Sequence, residues 1–418
     1  MTLPHGLRAF AHRNFRLFIA GQGTSQIGSW LQLIATSWLM FELTHSTLML
    51  GLAAFALQIP FLLIGPVAGV FLDRLNVRRV LFVTNALAFT QSLVMLTLVA
   101  GGWIQPWHLV VGNLVMGLVN ACDAPGRQSL LVHLVDRRED LANAIALNGS
   151  VMNGARFIGP MLGGSVIGSF GVVSGFALNA VLRVSVVVAL ILLRVDPPPK
   201  PRDSTHWARQ LATGARYAYG FLPSRAALLM LASTSFLVQP YSSLMPWFAS
   251  QRFHGDAHTL GLLTGAAGCG AMTGMILLAW RPGTKGLFKQ IAWSAALAGA
   301  GLIAFSATSV LWVALILLFA VGMGTMLTAA STNIVLQTIV PDALRGRVAS
   351  LYVASFLGMA PLGALFGGWF ASHVTAPVAL ACCGGGTLLA ALVYWRQYPE
   401  IRRQIIPVYR ELGIIAPH

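Results

Sequence analysis

Charged side chains embedded in apolar sequence are the residues of this chain with chemistry to offer. Asp123 and Arg127 stand one helical turn apart inside a long apolar stretch, a spacing that puts a carboxylate and a guanidinium on one helix face. Such a pair can neutralise itself as a static bridge, or it can exchange a proton on Asp123 and couple that event to movement. Of the other acids, Glu42 ends an apolar stretch and is the weaker alternative as a proton carrier; the rest lie toward connections or chain ends. Arg156 and Arg183 fall deep within further apolar stretches, too far from any interface to snorkel. A buried cation requires a carboxylate, a carbonyl, water or an anionic ligand. With one deep acid available, the interior leans positive, which favours an acidic or phenolic ligand. Arg156 is the expected cationic contact, and Trp30, Tyr241, Tyr352 and Phe356 are candidate aromatic walls.

The elements that must position these groups are apolar and long. The chain has 418 residues, of which 56% are hydrophobic and only 9% charged, with a mean hydropathy of +0.73. That composition belongs to an integral membrane protein. Runs long enough to span a bilayer cover residues 15–41, 48–72, 80–101, 106–135, 141–169, 171–194, 226–251, 259–280, 285–307, 310–340, 343–371 and 375–396. The expected fold is therefore all-α, with twelve transmembrane helices. The net charge of +15 is not spread evenly. Alternate connections collect Arg8, Arg13, Arg16, Arg74, Arg78, Arg79, Arg137, Arg138, Lys285, Lys289, Arg345 and Arg347, while the opposite ones receive Arg252. This asymmetry follows the positive-inside rule, predicts both termini in the cytoplasm, and accounts for the basic excess without a nucleic-acid partner. The first run lacks a short apolar core with a small-residue cleavage site, so it reads as a retained helix. Cys122, Cys269, Cys382 and Cys383 lie in the runs without metal or redox spacing. His254, Asp256 and His258 are too few to hold a metal, and no metal or cofactor is expected.

The runs divide into two halves. Residues 196–204 are proline-rich and polar and read as a linker. The expected division is an N-terminal six-helix bundle over 1–195, a cytoplasmic linker over 196–225, a C-terminal six-helix bundle over 226–397 and a cytoplasmic tail over 398–418. Residues 206–221 in the linker have the pattern of an amphipathic helix on the inner interface. The halves echo each other: Leu50-Gly51-Leu52 matches Leu260-Gly261-Leu262, and Pro160 with Gly163-Gly164 matches Pro361 with Gly367-Gly368. Such a repeat creates a seam that can hold a ligand and open on alternate sides. Glycines four apart, as at Gly65 and Gly69, Gly159 and Gly163, Gly261 and Gly265, and Gly363 and Gly367, let helices approach closely.

Two motifs and several longer segments carry a family resemblance. Gly69, then Asp73-Arg74, then Arg78-Arg79 resembles the loop between the second and third helices of the major facilitator superfamily. In that family these residues would latch the cytoplasmic side, although Asn76 and Val77 depart from the pattern. Gly159-Pro160-Met161-Leu162-Gly163-Gly164 resembles the superfamily's antiporter motif, which implies efflux. The segments 12–18, 123–130, 143–148, 155–160 and 341–348 narrow the resemblance to the branch that includes the enterobactin exporter, across both halves. The resemblance implies two pseudo-symmetric bundles whose first, fourth, seventh and tenth helices line the cavity. Polar stripes suited to that place are Gln22, Gln26 and Ser29 in the first run, Asn113 and Asn120 in the fourth, Gln239 and Tyr241 in the seventh, and Thr328 in the tenth. Interhelical hydrogen bonding is the competing role for such residues. Arg183 is the weaker cation, because the sixth helix of the superfamily is usually peripheral.

The expectation that follows is a non-enzymatic secondary exporter in a bacterial inner membrane, working by alternating access with protons and moving a small siderophore-like molecule. Broad efflux of macrolides or other drugs is the close alternative, and a lysophospholipid flippase the alternative of another class. A monomer in the lipid bilayer is the expected state.

Overall fold

A computed structural model describes residues 5–72, 75–135, 137–195, 215–281 and 283–414. Every apolar run coincides with helix. The helices are α1 (Arg13–Thr44), α2 (Thr47–Leu72), α3 (Val77–Ala100), α4 (Pro106–Leu131), α5 (Arg138–Phe170), α6 (Val172–Leu192), α7 (Leu222–Val238), α8 (Pro240–Trp247), α9 (Ala257–Ala279), α10 (Leu287–Ala307), α11 (Leu311–Ile339), α12 (Asp342–Val353), α13 (Met359–His373) and α14 (Ala376–Glu411). Among the described residues, nine helical stretches are long and apolar enough to cross a membrane. The three runs outside that set are long but interrupted in composition or geometry. Glutamines dilute α1 and charged and Asn residues dilute α5, while the seventh run breaks at Pro240 into α7 and α8. The eleventh run is α12 and α13 joined by a π-helical turn at Ala354–Gly358.

The chain forms two compact units, Met1–Arg202 with Ala249–Gly265, and Asp203–Phe248 with Ala266–His418. In the first, α1 packs on α5 and α6, α2 on α4, and α3 on α4 and α6. In the second, α7 packs on α13 and α14, and α10 on α11 and α14. Four of the five pairings recur six runs along, which is the repeat expected from the matched sequence segments. Two boundaries differ from the sequence reading. Helix α14 continues through the expected tail to Glu411, because Ile401, Ile405 and Tyr409 are buried in the core of the second unit. Ala218 belongs to that same core, with Tyr217 and Phe221 against it, so the described end of the linker is packed rather than laid on an interface. Residues 206–214 lie outside the described residues.

Lipid supplies no hydrophobic drive between helices, so close approach must come from small side chains and polar contacts. A Cβ at Gly159 of α5 would stand 2.5 Å from the Trp30 Cβ of α1, and one at Gly164 would stand 2.6 Å from Gly261 Cα of α9. Pro160 lies inside α5 without ending it. Gly163 approaches Leu31 of α1 in the same way.

At the loop before α3, Asn76 accepts a hydrogen bond from the Arg79 backbone N–H and caps the helix, which gives the departure at Asn76 a structural role. Arg78 donates through Nε to the Leu190 carbonyl at 3.0 Å and through Nη2 to the Ile191 carbonyl at 2.9 Å. It thus places a cation on the C-terminal carbonyls of α6, where the helix dipole favours positive charge. Arg13 adds Nη1 to the Leu192 carbonyl at 3.4 Å. The Arg79 side chain is exposed. Asp73 and Arg74 of the expected latch, and the surroundings of Gly69, lie outside the described residues.

Two outcomes follow for purified protein in detergent, read by chemical or thermal unfolding. Arg78→Met loses about 1–2 kcal/mol of stability, whereas Arg79→Met stays within about 0.5 kcal/mol of the parent; equal losses contradict the capping role. Gly159→Val forces α1 from α5 and costs about 1–3 kcal/mol, and a neutral result contradicts the close approach at Trp30.

Candidate functional site

Helix α4 presents Asp123 and Arg127 on one face, and their side chains meet, Arg127 Nε to Asp123 Oδ2 at 2.9 Å. The carboxylate's other oxygen is held from α3, by Asn85 Nδ2 at 2.8 Å and Thr84 Oγ1 at 3.3 Å. Asp123 is buried, and both of its oxygens accept hydrogen bonds. Arg127 reaches onward to Gln26 Oε1 of α1 at 3.4 Å. The pair expected from spacing alone is therefore the centre of a network joining α1, α3 and α4.

A second buried polar cluster lies where α1, α3 and α6 meet. Gln32 Nε2 donates to Gln91 Oε1 at 3.0 Å, Ser92 Oγ donates to Gln32 Oε1 at 3.2 Å, and Asn179 Nδ2 donates to Ser92 Oγ at 2.8 Å and also to Gln32 Oε1. Gln91 Nε2 closes onto the Gly112 carbonyl of α4 at 3.3 Å. Side-chain networks of this kind fix helix register in lipid, where an unpaired amide is costly.

Between these clusters the first unit holds a cavity of about 140 Å³. Gln26, Ser29 and Trp30 of α1, Asn113 and Asn120 of α4, and Arg183 of α6 line it, with Leu33, Leu57 and Met116 as apolar wall. Arg183 is 3% exposed. Its Nη2 donates to Ser29 Oγ at 3.2 Å and lies 3.6 Å from Met116 Sδ.

The structure thus gathers Gln26, Ser29, Trp30, Asn113 and Asn120 around one space, and separates others from it. Gln22 is buried outside the cavity lining, and Asn113 also ties α4 to the Ala53 carbonyl of α2 at 2.9 Å. Arg156 was expected to be buried, but its side chain is exposed and does not line the cavity. A central position in an apolar run does not decide which way a side chain faces, and on α5 the inward face belongs to Gly159 and Gly163. The buried cation is Arg183, on the helix that the resemblance ranked lower. Glu42 accepts the Trp38 indole N–H at 2.6 Å near the end of α1.

Gln239, Tyr241, Thr328, Tyr352 and Phe356 belong to the second unit. There Gln239 Nε2 donates to Ser242 Oγ at 3.1 Å, and Thr328 is fully buried and bonded to Ser294 of α10, a helix-joining role. Tyr241 is half-buried. Tyr352 and Phe356 stack at 6.2 Å between centroids beside the π-helical turn. Asp256 accepts the backbone N–H groups of His258 and Thr259 at the start of α9.

Thr84, Asn85, Ser92 and Asn179 were missed by sequence reasoning. The signal was present: Asn85 and Ser92 are seven residues apart on α3, and Asn179 and Arg183 four apart on a largely apolar α6.

Comparisons with known proteins agree with this architecture. The chain matches the family described as transmembrane secretion effectors over residues 5–407. It is similar to the staphyloferrin A transporter of Staphylococcus aureus, 22% identical over 81% of this chain and 85% of that protein. It is also similar to the enterobactin exporter EntS of Citrobacter koseri, 26% identical over 64% of this chain and 63% of that protein. The crystal structure of a mutant of the nucleoside transporter NupG shares the fold at a TM-score of 0.75 and 13% identity, covering 92% of this chain and 100% of that one. Helical pairing, the repeat and the match over nearly the whole chain place this protein in the transmembrane secretion effector family, within the major facilitator superfamily.

Proposed function

We propose that this protein is a proton-driven secondary exporter of a small acidic or phenolic molecule of the siderophore kind, acting in a bacterial inner membrane with both termini cytoplasmic. The observation that carries the reading is the Asp123 carboxylate, buried and bonded from three side chains on two helices, with its cation linked to a third. A proton on Asp123 Oδ2 removes the negative charge that Arg127 Nε faces, and frees Arg127 from α4's own carboxylate. Because Arg127 also reaches α1, the event changes how α1 and α4 are tied beside the cavity. Protonation is then a local charge change that biases two packings, which is what coupling requires. The names of the staphyloferrin A and enterobactin relatives support a siderophore-like cargo, and the antiporter-like Gly159-Pro160 segment supports outward movement against protons. Alternating access rests on the two-unit repeat.

Reconstituted vesicles test the coupling. With an imposed pH gradient, Asp123→Asn lowers the initial rate of net transport at least tenfold while substrate exchange without a gradient persists; full pH-driven transport by that variant overturns the assignment. Deletion of the gene abolishes iron-regulated siderophore secretion on this reading. Unchanged secretion with raised macrolide sensitivity overturns the cargo in favour of drug efflux, and turnover of lysophospholipid without siderophore movement overturns it in favour of a flippase.

A further inference from the structure

The charges buried in the first unit do not cancel. Among its described residues the buried acidic and basic side chains are Asp123, Asp140 and Arg183. Asp140 faces the His12 ring nitrogen at 2.9 Å. Asp123 has both oxygens engaged, its charge set against Arg127. Arg183 is left with a hydroxyl and a thioether, both neutral, and its Nε–H has no partner. A guanidinium out of water with an unused donor is an unmet demand for an anion.

A second unmet donor belongs to another residue of the same lining. The Trp30 indole Nε1 is buried without a partner on α1, and Gly159 lets α5 press against that residue. The residues that line the cavity therefore carry one uncompensated cation, two orphan N–H groups on α1 and α6, and an apolar wall of Leu33, Leu57 and Met116. A fork of guanidinium donors matches the two oxygens of a carboxylate, and the single excess charge matches a monoanion. The wall and the indole suit a flat apolar body attached to it.

We propose that the cavity of the first unit is a carboxylate-binding subsite, in which the Arg183 guanidinium takes the head group of a flat monoanion and Trp30 bounds its body. As the head-group site of an exported cargo it rests on the export reading above; as a binding site it stands on the geometry alone. The described residues that line the subsite all belong to the first unit.

Benzoate and its neutral counterpart benzamide test it by calorimetric titration of the full chain in nanodiscs. Benzoate binds at least tenfold more tightly than benzamide, and Arg183→Gln removes that preference to within twofold. Arg183→Lys keeps the charge without the fork and retains part of the preference, which covers the case in which the glutamine variant fails to fold. Equal affinity for the two probes in the parent protein, or an unchanged preference in Arg183→Gln, overturns the subsite. A benzoate preference in protein that shows no pH-driven transport supports the subsite and overturns the export reading; pH-driven transport without the preference does the reverse.

Discussion

A guanidinium held in the membrane interior without a carboxylate opposite it is the condition to which the first unit is built. Arg183 is buried as thoroughly as the apolar core around it, yet its charge is not cancelled, since Asp123 is already claimed from three directions. Arg183 lies within electrostatic reach of both Asp123 and Arg127, so the three charges form one system with a net excess of one positive. Moving a proton onto Asp123 raises that excess, and bringing in a monoanion removes it. Proton and anion are thereby coupled through the same small set of side chains, each strengthening the hold on the other, which links a driving ion to a cargo without direct contact between them.

The scaffold that keeps this system in place is a matter of close backbone approach and of caps. Trp30 is fixed because α5 offers it glycine, and α6 is fixed because the amide cluster of Gln32, Ser92 and Asn179 ties it to α1 and α3. At the far end of α6, Arg78 and Arg13 hold the last carbonyls. The loop before α3 is thus mechanically connected to the helix that carries Arg183. A change of conformation in that loop has a direct route to the cavity, through one helix about 30 Å long.

Much of this was legible in the sequence where the signal is periodic. The twelve runs, the matched halves and the Asp123 and Arg127 pair follow from hydropathy, repetition and the i, i+4 spacing. The cavity stripe of Gln26, Ser29, Asn113 and Asn120 was visible as polar residues at helical steps, and Trp30 as an aromatic beside them. Arg156 and Arg183 show where that reading stops, because depth along a helix says nothing of direction around it. Two of the three partners of Asp123 came from α3, and polar residues at helical steps on that helix do not say which neighbouring helix they meet. Helix α14 outran its apolar segment for a related reason: Ile401, Ile405 and Tyr409 are held by contacts with distant parts of the second unit.

The most direct measurement is a crystal structure with 4-iodobenzoate, whose iodine marks the ring by anomalous scattering. The account predicts the carboxylate against the Arg183 guanidinium, within hydrogen-bonding distance of Nε, and the iodine in the cavity beside Trp30. An iodine site elsewhere, with Arg183 Nε still bare, contradicts it.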